Sequence, residues 1–305
     1  MSLNDTDLVV SVCANCGKEG RDVNNICNKC TKATYCNAAC KKKHRHKHKK
    51  ECEQHVAELH DKELFKQPPD EGDCPICFIR MPTLDTGRRY QSCCGKVICS
   101  GCVHAPLYDN QGNKVDNQKC PFCRTPWHSS DEESVERLKK RIEIGDPVAM
   151  HTLGCKYRGG IGLPQDYTKA LELYHQAGEL GCGNAYTSLG YAYSHGRGVE
   201  IDKVKANHYY ELAAKGGHAQ ARHNLGNNEW RLGNMDRALK HWVIAIQGGR
   251  SESLDMMKQL YALGLGHATK EDYMKALQLY QAYLVEIKSS QRDKAAAADE
   301  EFRYY

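Results

Sequence analysis

Cysteine placement constrains this chain more than any other feature. Fifteen of its seventeen cysteines fall before residue 124, chiefly as pairs: Cys13/Cys16, Cys27/Cys30, Cys36/Cys40, Cys74/Cys77, Cys93/Cys94, Cys99/Cys102 and Cys120/Cys123. Two thiolates separated by two residues on a tight turn reach one tetrahedral zinc. Four such ligands close a structural site and leave no position for chemistry. The opening Met1-Ser-Leu-Asn-Asp-Thr-Asp7 is polar and acidic, with no basic flank or apolar core of a signal peptide. Cysteines in such a chain read as metal ligands rather than disulfides, and the expected compartment is reducing, cytoplasmic or nuclear. No run of about 18 apolar residues exists, so no membrane partner is expected.

The first cysteine-rich stretch reads Cys13-x-x-Cys16, Cys27-x-x-Cys30, Cys36-x-x-x-Cys40, His48-x-x-x-Cys52. Residues four apart share a helix face, so His48 and Cys52 aim at one metal from successive turns, with His44 on the same stripe as a rival ligand. These eight positions resemble a MYND finger, which spans two zincs. The resemblance implies that Cys13, Cys16, Cys36 and Cys40 hold one ion and Cys27, Cys30, His48 and Cys52 the other. That family takes Pro-containing peptides with an aromatic before the ligand histidine. Arg45 stands there, a departure that leaves the zinc fold of the resemblance intact but puts its peptide capture in question. The run Lys41–Lys50 carries seven Lys/Arg and three His. Without interleaved aromatics to stack bases it reads as the solvated face of a helix, and a nucleic-acid partner is not expected.

Gln67-Pro-Pro-Asp-Glu-Gly72 ends the first module, because paired prolines cannot extend a helix. The second stretch, Cys74-Pro-Ile-Cys77 through Cys93-Cys94 and Cys99-Ser-Gly-Cys102 to Cys120-Pro-Phe-Cys123-Arg124, resembles a RING finger. In that family the first and third pairs share one zinc and the second and fourth share the other. Cys93 and Cys94 are adjacent, with Lys96 where a histidine is common. Either both bind, or His104 displaces Cys93. Fifteen cysteines plus His48 make sixteen ligands, four zincs at four each, which favours the first. The resemblance also implies that Ile76 and Pro121 contact a ubiquitin-conjugating enzyme and that Arg124 bridges that enzyme and its ubiquitin. The aromatic often found before the seventh ligand is replaced by Asn117-Gln-Lys119. Modules of about fifty residues bury too little apolar surface to fold unaided, so zinc supplies the folding energy.

Beyond Trp127 cysteine nearly vanishes. Cys155 and Cys182 read as small buried residues. Ser130-Asp-Glu-Glu133 is a capping-box pattern opening a helix. Ala149, Ala185 and Ala221 then recur at thirty-six residues, as do Leu153-Gly154, Leu189-Gly190 and Leu225-Gly226. Ala170/Tyr174, Ala206/Tyr210, Ala238/Trp242 and Ala276/Tyr280 mark a second helix per unit, with four residues deleted in the third. Such a period predicts a solenoid whose units stack into one core. The pattern, with Tyr157 to Gly162 and Tyr193 to Gly198, resembles Sel-one-like repeats, relatives of tetratricopeptide repeats. That resemblance implies a concave protein-binding groove.

The expected fold class is small zinc-stabilised α+β modules followed by an all-α helical-repeat solenoid. The expected organisation is a MYND-type module at 1–66, a linker at 67–73 and a RING-type module at 74–127. A capping helix at 128–146, four repeats at 147–288 and a frayed or disordered tail at 289–305 complete it. The expected function is a RING-type ubiquitin-protein ligase that holds its protein substrate on the repeats. The alternative is a zinc-dependent adaptor that catalyses nothing. No nucleophile or general base is apparent in the chain, and neither reading needs one.

Overall fold

The computed structural model describes residues 11–20, 23–67, 69, 72–83, 85–105, 119–264 and 266–305. The acidic amino terminus, part of the proline boundary and the Asn117-Gln118 departure lie outside the described residues. The chain forms two compact units, residues 1–66 and 67–305.

In the first unit a short antiparallel pair, β1 (Asn25–Ile26) and β2 (Thr34–Tyr35), precedes a single long helix, α1 (Ala38–Leu64). The Asn37 side chain caps α1 by accepting from the Cys40 amide at 2.8 Å. Among the described residues, the buried core cluster of this unit contains, apart from cysteines, only Val23 and Tyr35, with Ala33 packed against it. Two apolar side chains cannot offset the chain entropy of ordering some forty residues. Six of the seven cations in the Lys41–Lys50 run are exposed on α1, while Lys41 donates to the Ile26 carbonyl.

The second unit opens with a hairpin, β3 (Arg88–Gln91) and β4 (Lys96–Cys99), followed by α2 (Ser100–His104). Its core joins Met81, Ile98 and Val103 to the cysteines. Helix α3 (Asp131–Glu143) is capped by Ser130, which accepts from the Glu133 amide. The Glu133 carboxylate reaches back one residue further than the sequence pattern implies, to Ser129.

Four antiparallel helix pairs follow: α4 (Pro147–Gly159) with α5 (Tyr167–Glu179), α6 (Gly183–His195) with α7 (Lys203–Lys215), α8 (Ala219–Arg231) with α9 (Met235–Gln247), and α10 (Ser251–Ala262) with α11 (Lys270–Ile287). The small-residue marks and the aromatic marks turn out to be partners. A Cβ on Gly154 would meet the Tyr174 ring at 2.6 Å, on Gly190 the Tyr210 ring at 2.5 Å, and on Gly226 the Trp242 ring at 2.4 Å. Glycine is thus required where each second helix presses its aromatic against the first. The third unit's deletion falls in the turn within the pair, residues 232–234, where the first two units use residues 160–166 and 196–202. In the fourth unit the fully buried ring is Tyr283 rather than Tyr280, and it packs on Gly249.

The carboxy-terminal segment is helical and packed through a few buried side chains, unlike the frayed tail expected from Ala295–Ala298. Helix α12 (Ser290–Ala298) lies against α2, with Arg292, Ala295 and Tyr304 buried. Tyr283 bonds Thr83, Arg80 pairs with Glu286, and Arg89 pairs with Glu301 at 3.1 Å. At the other end of the array Tyr90 donates to Asp146, the cap of α4, at 2.7 Å, and Arg141 donates to the same carboxylate at 2.8 Å. The hairpin module is therefore held by both ends of the solenoid.

Candidate metal centres

Four turns in the chain share one backbone form. In each, the first cysteine's amide donates across the turn: Cys13 to Lys18, Cys27 to Ala33, Cys74 to Ile79 and Cys120 to Thr125. The residue after the second cysteine donates back to the first cysteine's carbonyl and takes positive φ: Gly17 at 73°, Thr31 at 58°, Phe78 at 55° and Arg124 at 63°. This form turns both sulfurs of a pair to the same side. Only glycine enters that region without steric cost, so Thr31, Phe78 and Arg124 are held there by the surrounding structure.

The turns assemble four quartets whose ligand atoms all lie within 4.8 Å of one another: Cys13/Cys16/Cys36/Cys40, Cys27/Cys30/His48/Cys52, Cys74/Cys77/Cys99/Cys102 and Cys93/Cys94/Cys120/Cys123. These groupings are the pairings implied by the two finger resemblances, and Cys93 and Cys94 fall in one quartet. His104 belongs to none: it is buried, its ring 5.5 Å from that of Phe302. His44 is also outside the quartets, stacked on His48 and bonded to Tyr35 at 3.3 Å.

The donor set fits zinc. Sulfur separations are 3.7 Å for Cys16–Cys36 and Cys27–Cys52, 3.5 Å for Cys36–Cys40, 3.8 Å for Cys77–Cys99, 4.0 Å for Cys94–Cys120 and 3.4 Å for Cys93–Cys123. Four sulfurs about 2.3 Å from a tetrahedral centre would stand about 3.8 Å apart, whereas a disulfide requires about 2.05 Å. His48 Nε2 lies 3.2 Å from Cys30 Sγ.

Electrostatics agree. Burial works to raise the Cys27 thiol, but the Cys30 and Lys29 amides and the His48 ring outweigh it and hold it at about 6. In the same quartet burial and the hydrogen bond from Cys27 push Cys52 up to about 11. The bond to Cys102 drives Cys74 far down, and the same bond drives Cys102 far up. In each quartet some thiols hold a proton because others have lost theirs, a competition that a dication at the centre removes.

Ile76 and Pro121 are half-buried within the Cys74 and Cys120 turns, and Arg124 is exposed at the end of the latter. Beside them two rings face solvent: Phe78 is 77% exposed and Phe122 is 44% exposed. Lys96 sits over the Phe122 ring at 5.8 Å. Residue-by-residue reading overlooks both phenylalanines. The signal is the repeated form Cys-Pro-x-Cys-x, with Phe78 at its last position in the first turn and Phe122 between the cysteines in the second.

Along the solenoid, α4, α6, α7 and α8 line a groove of about 840 Å³ that includes Arg158, Lys203, Asn207, Asn224, Asn228 and Arg231. Its lining contains cations and amides but, among the described residues, no carboxylate. The polar run in α8 marks it in the sequence. Cys182 is buried as expected. Cys155 is only half-buried and lies in a polar cluster, 3.6 Å from His151 Nε2 and accepting from the Tyr174 hydroxyl.

These features define a helical-repeat protein with zinc-finger modules at its amino end. More particularly, residues 13–52 match the MYND finger, and residues 147–182, 183–218 and 259–282 match the Sel1 repeat. The chain is 32% identical over 89 residues to the E3 ubiquitin-protein ligase DA2 of Arabidopsis thaliana, covering 27% of this chain and 20% of that protein. It is 32% identical over 72 residues to the E3 ubiquitin-protein ligase GW2 of Oryza sativa subsp. indica, covering 24% of this chain and 15% of that protein. The match thus spans a fifth or less of either relative. Among solved structures, a Sel1 repeat protein from Oxalobacter formigenes aligns with a TM-score of 0.45 at 23% identity, over 56% of this chain and 80% of its own. The protective antigen c5321 of uropathogenic Escherichia coli aligns at 0.44 and 22% identity, over 55% of this chain and 37% of its own. No described helix is long and apolar enough to cross a membrane.

Proposed function

We propose that this chain is a RING-type ubiquitin-protein ligase built on four zinc ions, one per quartet. Ile76, Pro121 and Arg124 on the second module receive the ubiquitin-conjugating enzyme, and the groove of the repeats holds a protein substrate. The observation that carries the reading is the matched pair of turns bearing these residues. A half-buried apolar side chain in each turn and an exposed guanidinium form one docking edge. The partial likeness to DA2 and GW2 supports it. The chemistry asked of the chain is positional: the enzyme-linked ubiquitin is held in a reactive pose, and a lysine attacks with less entropy to lose. Arg124 suits a bridge because a planar guanidinium has five donors in fixed directions. Zinc supplies the shape of the docking edge and takes no part in the transfer.

Autoubiquitination across a panel of conjugating enzymes tests the reading. Wild type should be active, and Ile76→Ala and Arg124→Ala should lose at least tenfold with zinc content unchanged. Equal activity in all three refutes it. The second reading, a non-catalytic adaptor, is favoured by the cationic, amide-lined groove, which suits capture of an acidic segment without any transfer. In that case a partner is retained through residues 128–288 whatever stands at position 124.

A further inference from the structure

The most buried all-cysteine quartet has an unusual neighbour from the far end of the chain. Cys74, Cys99 and Cys102 are fully buried and Cys77 half-buried, and against them lies Arg292 of α12, with 0% exposure. Its Nη1 donates to the Arg80 carbonyl at 2.8 Å and to the Ile287 carbonyl at 2.6 Å. Its Nη2 donates to the Ile79 carbonyl at 3.2 Å and stands 3.9 Å from Cys77 Sγ. Neutral carbonyls take the Nη donors without cancelling the charge, and Nε is buried with no hydrogen-bond partner among the described residues. Among the described residues no carboxylate bonds this guanidinium, so its buried charge is compensated by the thiolates. The requirement is mutual. Four thiolates around a dication leave a net charge of about −2, which is costly to hold away from water without a cation.

We propose that Arg292 is the outer cation of the Cys74/Cys77/Cys99/Cys102 zinc site, and that segment 289–305 is a working part of the second zinc module. This rests on the reading of that quartet as a zinc site. Two further contacts fix the segment in place. Gly101, between ligands Cys99 and Cys102, leaves room for α12: a Cβ there would meet the Arg292 amide nitrogen at 2.8 Å. Tyr304, 1% exposed, bonds Asp293 and covers Gly87. No buried arginine is seen against the other three quartets among the described residues, which makes them internal controls. Loss of an outer partner of a metal site commonly costs about 10–100-fold in metal affinity. Arg292 is therefore a positioning residue, acting on the metal through its ligands.

The test uses the full chain, zinc-loaded, as wild type, Arg292→Lys, Arg292→Met and Tyr304→Ala. Zinc per chain is measured first. The proteins then meet a competing chelator and N-ethylmaleimide, and the rate at which each cysteine is alkylated is read by peptide mass mapping. In Arg292→Met, Cys74, Cys77, Cys99 and Cys102 should label about 10–100-fold faster, while the other three quartets stay within about threefold of wild type. Arg292→Lys, which keeps the charge, should restore slow labelling. Tyr304→Ala, which touches no ligand, should expose the same four cysteines. Wild-type rates in Arg292→Met overturn the proposal. So does a lysine variant as fast as the methionine one, or acceleration of all four quartets together. A wild-type chain with no zinc on these four cysteines fails the metal reading itself and the proposal with it.

Discussion

Gly190→Ala is the sharpest probe of how the repeats hold together. The added methyl carbon would lie 2.5 Å from two carbons of the Tyr210 ring. Ordinary carbon contacts are about 3.5–4.0 Å, so the overlap is about 1 Å. Tyr210 is 2% exposed and wedged among Ala206, Ala213, Ala214, Ala221 and Leu225. Overpacking of this kind costs about 1–3 kcal/mol, and the collision with a confined ring belongs at the upper end. Replacing glycine by alanine in mid-helix returns about 1 kcal/mol. The net loss is about 1–2 kcal/mol, which for a unit of this size lowers Tm by roughly 2–8 °C. At Gly183, in the same helix, an added methyl would meet nothing nearer than 3.7 Å, so Gly183→Ala should leave Tm unchanged or slightly raised. Calorimetry of the zinc-loaded protein measures both. Adding Tyr210→Leu to Gly190→Ala should relieve the clash, with a coupling of about 1–2 kcal/mol in the cycle. A Gly190→Ala protein as stable as wild type, or a cycle without coupling, refutes the packing argument.

Other outcomes follow from single residues. Arg222 is 1% exposed with two guanidinium nitrogens lacking any partner among the described residues, and burial lowers it to about 10, so folding at neutral pH carries the cost of that charge. Arg222→Met, which copies Met150 of the first repeat, should stabilise by about 1–3 kcal/mol in urea titrations. The wild type should regain that difference as pH rises through about 10. Asp146 is opposed by burial, yet the bonds from Tyr90 and Arg141 hold its carboxyl below the usual range. Its stabilisation is therefore full above the ordinary carboxylate pKa and lost as pH falls through the folded value. Asp146→Asn should cost about 1–2 kcal/mol at pH 7, and its difference from wild type should shrink as pH falls through the folded value. Arg124→Gly should remove about 1 kcal/mol of backbone strain while abolishing ubiquitin transfer; a variant that is active, or less stable, contradicts the assignment. Exhaustive chelation should remove four zincs per chain and unfold the first unit, read by circular dichroism and metal analysis.

Much of the site is legible in the sequence because its determinants are local. A ligand pair needs two cysteines on one turn, and its partner pair follows from the resemblance quoted at Cys13–Cys52 and Cys74–Cys123. The repeat is legible because Gly154, Gly190 and Gly226 each answer an aromatic one helix later. Segment 289–305 departs from its expected fraying for the opposite reason. Ala295–Ala298 has no amphipathic pattern of its own, and Arg292 acquires its role from residues more than two hundred positions earlier in the chain. The positive φ of Phe78 and Arg124 is equally hidden, since neither side chain favours it. Only Gly17, at the corresponding place in the first finger, hints at it.

In an open helical array each unit leans only on its neighbours, and melting starts at a free end. Here the hairpin module grips the first helices through Tyr90 and the last through Thr83, Arg80 and Arg89. During synthesis, the cysteines of the second module emerge long before the helix α12 that packs against them. Those contacts are completed only once the whole array has been made, and the finished stack of repeats is then held at its last helices as well as at its first.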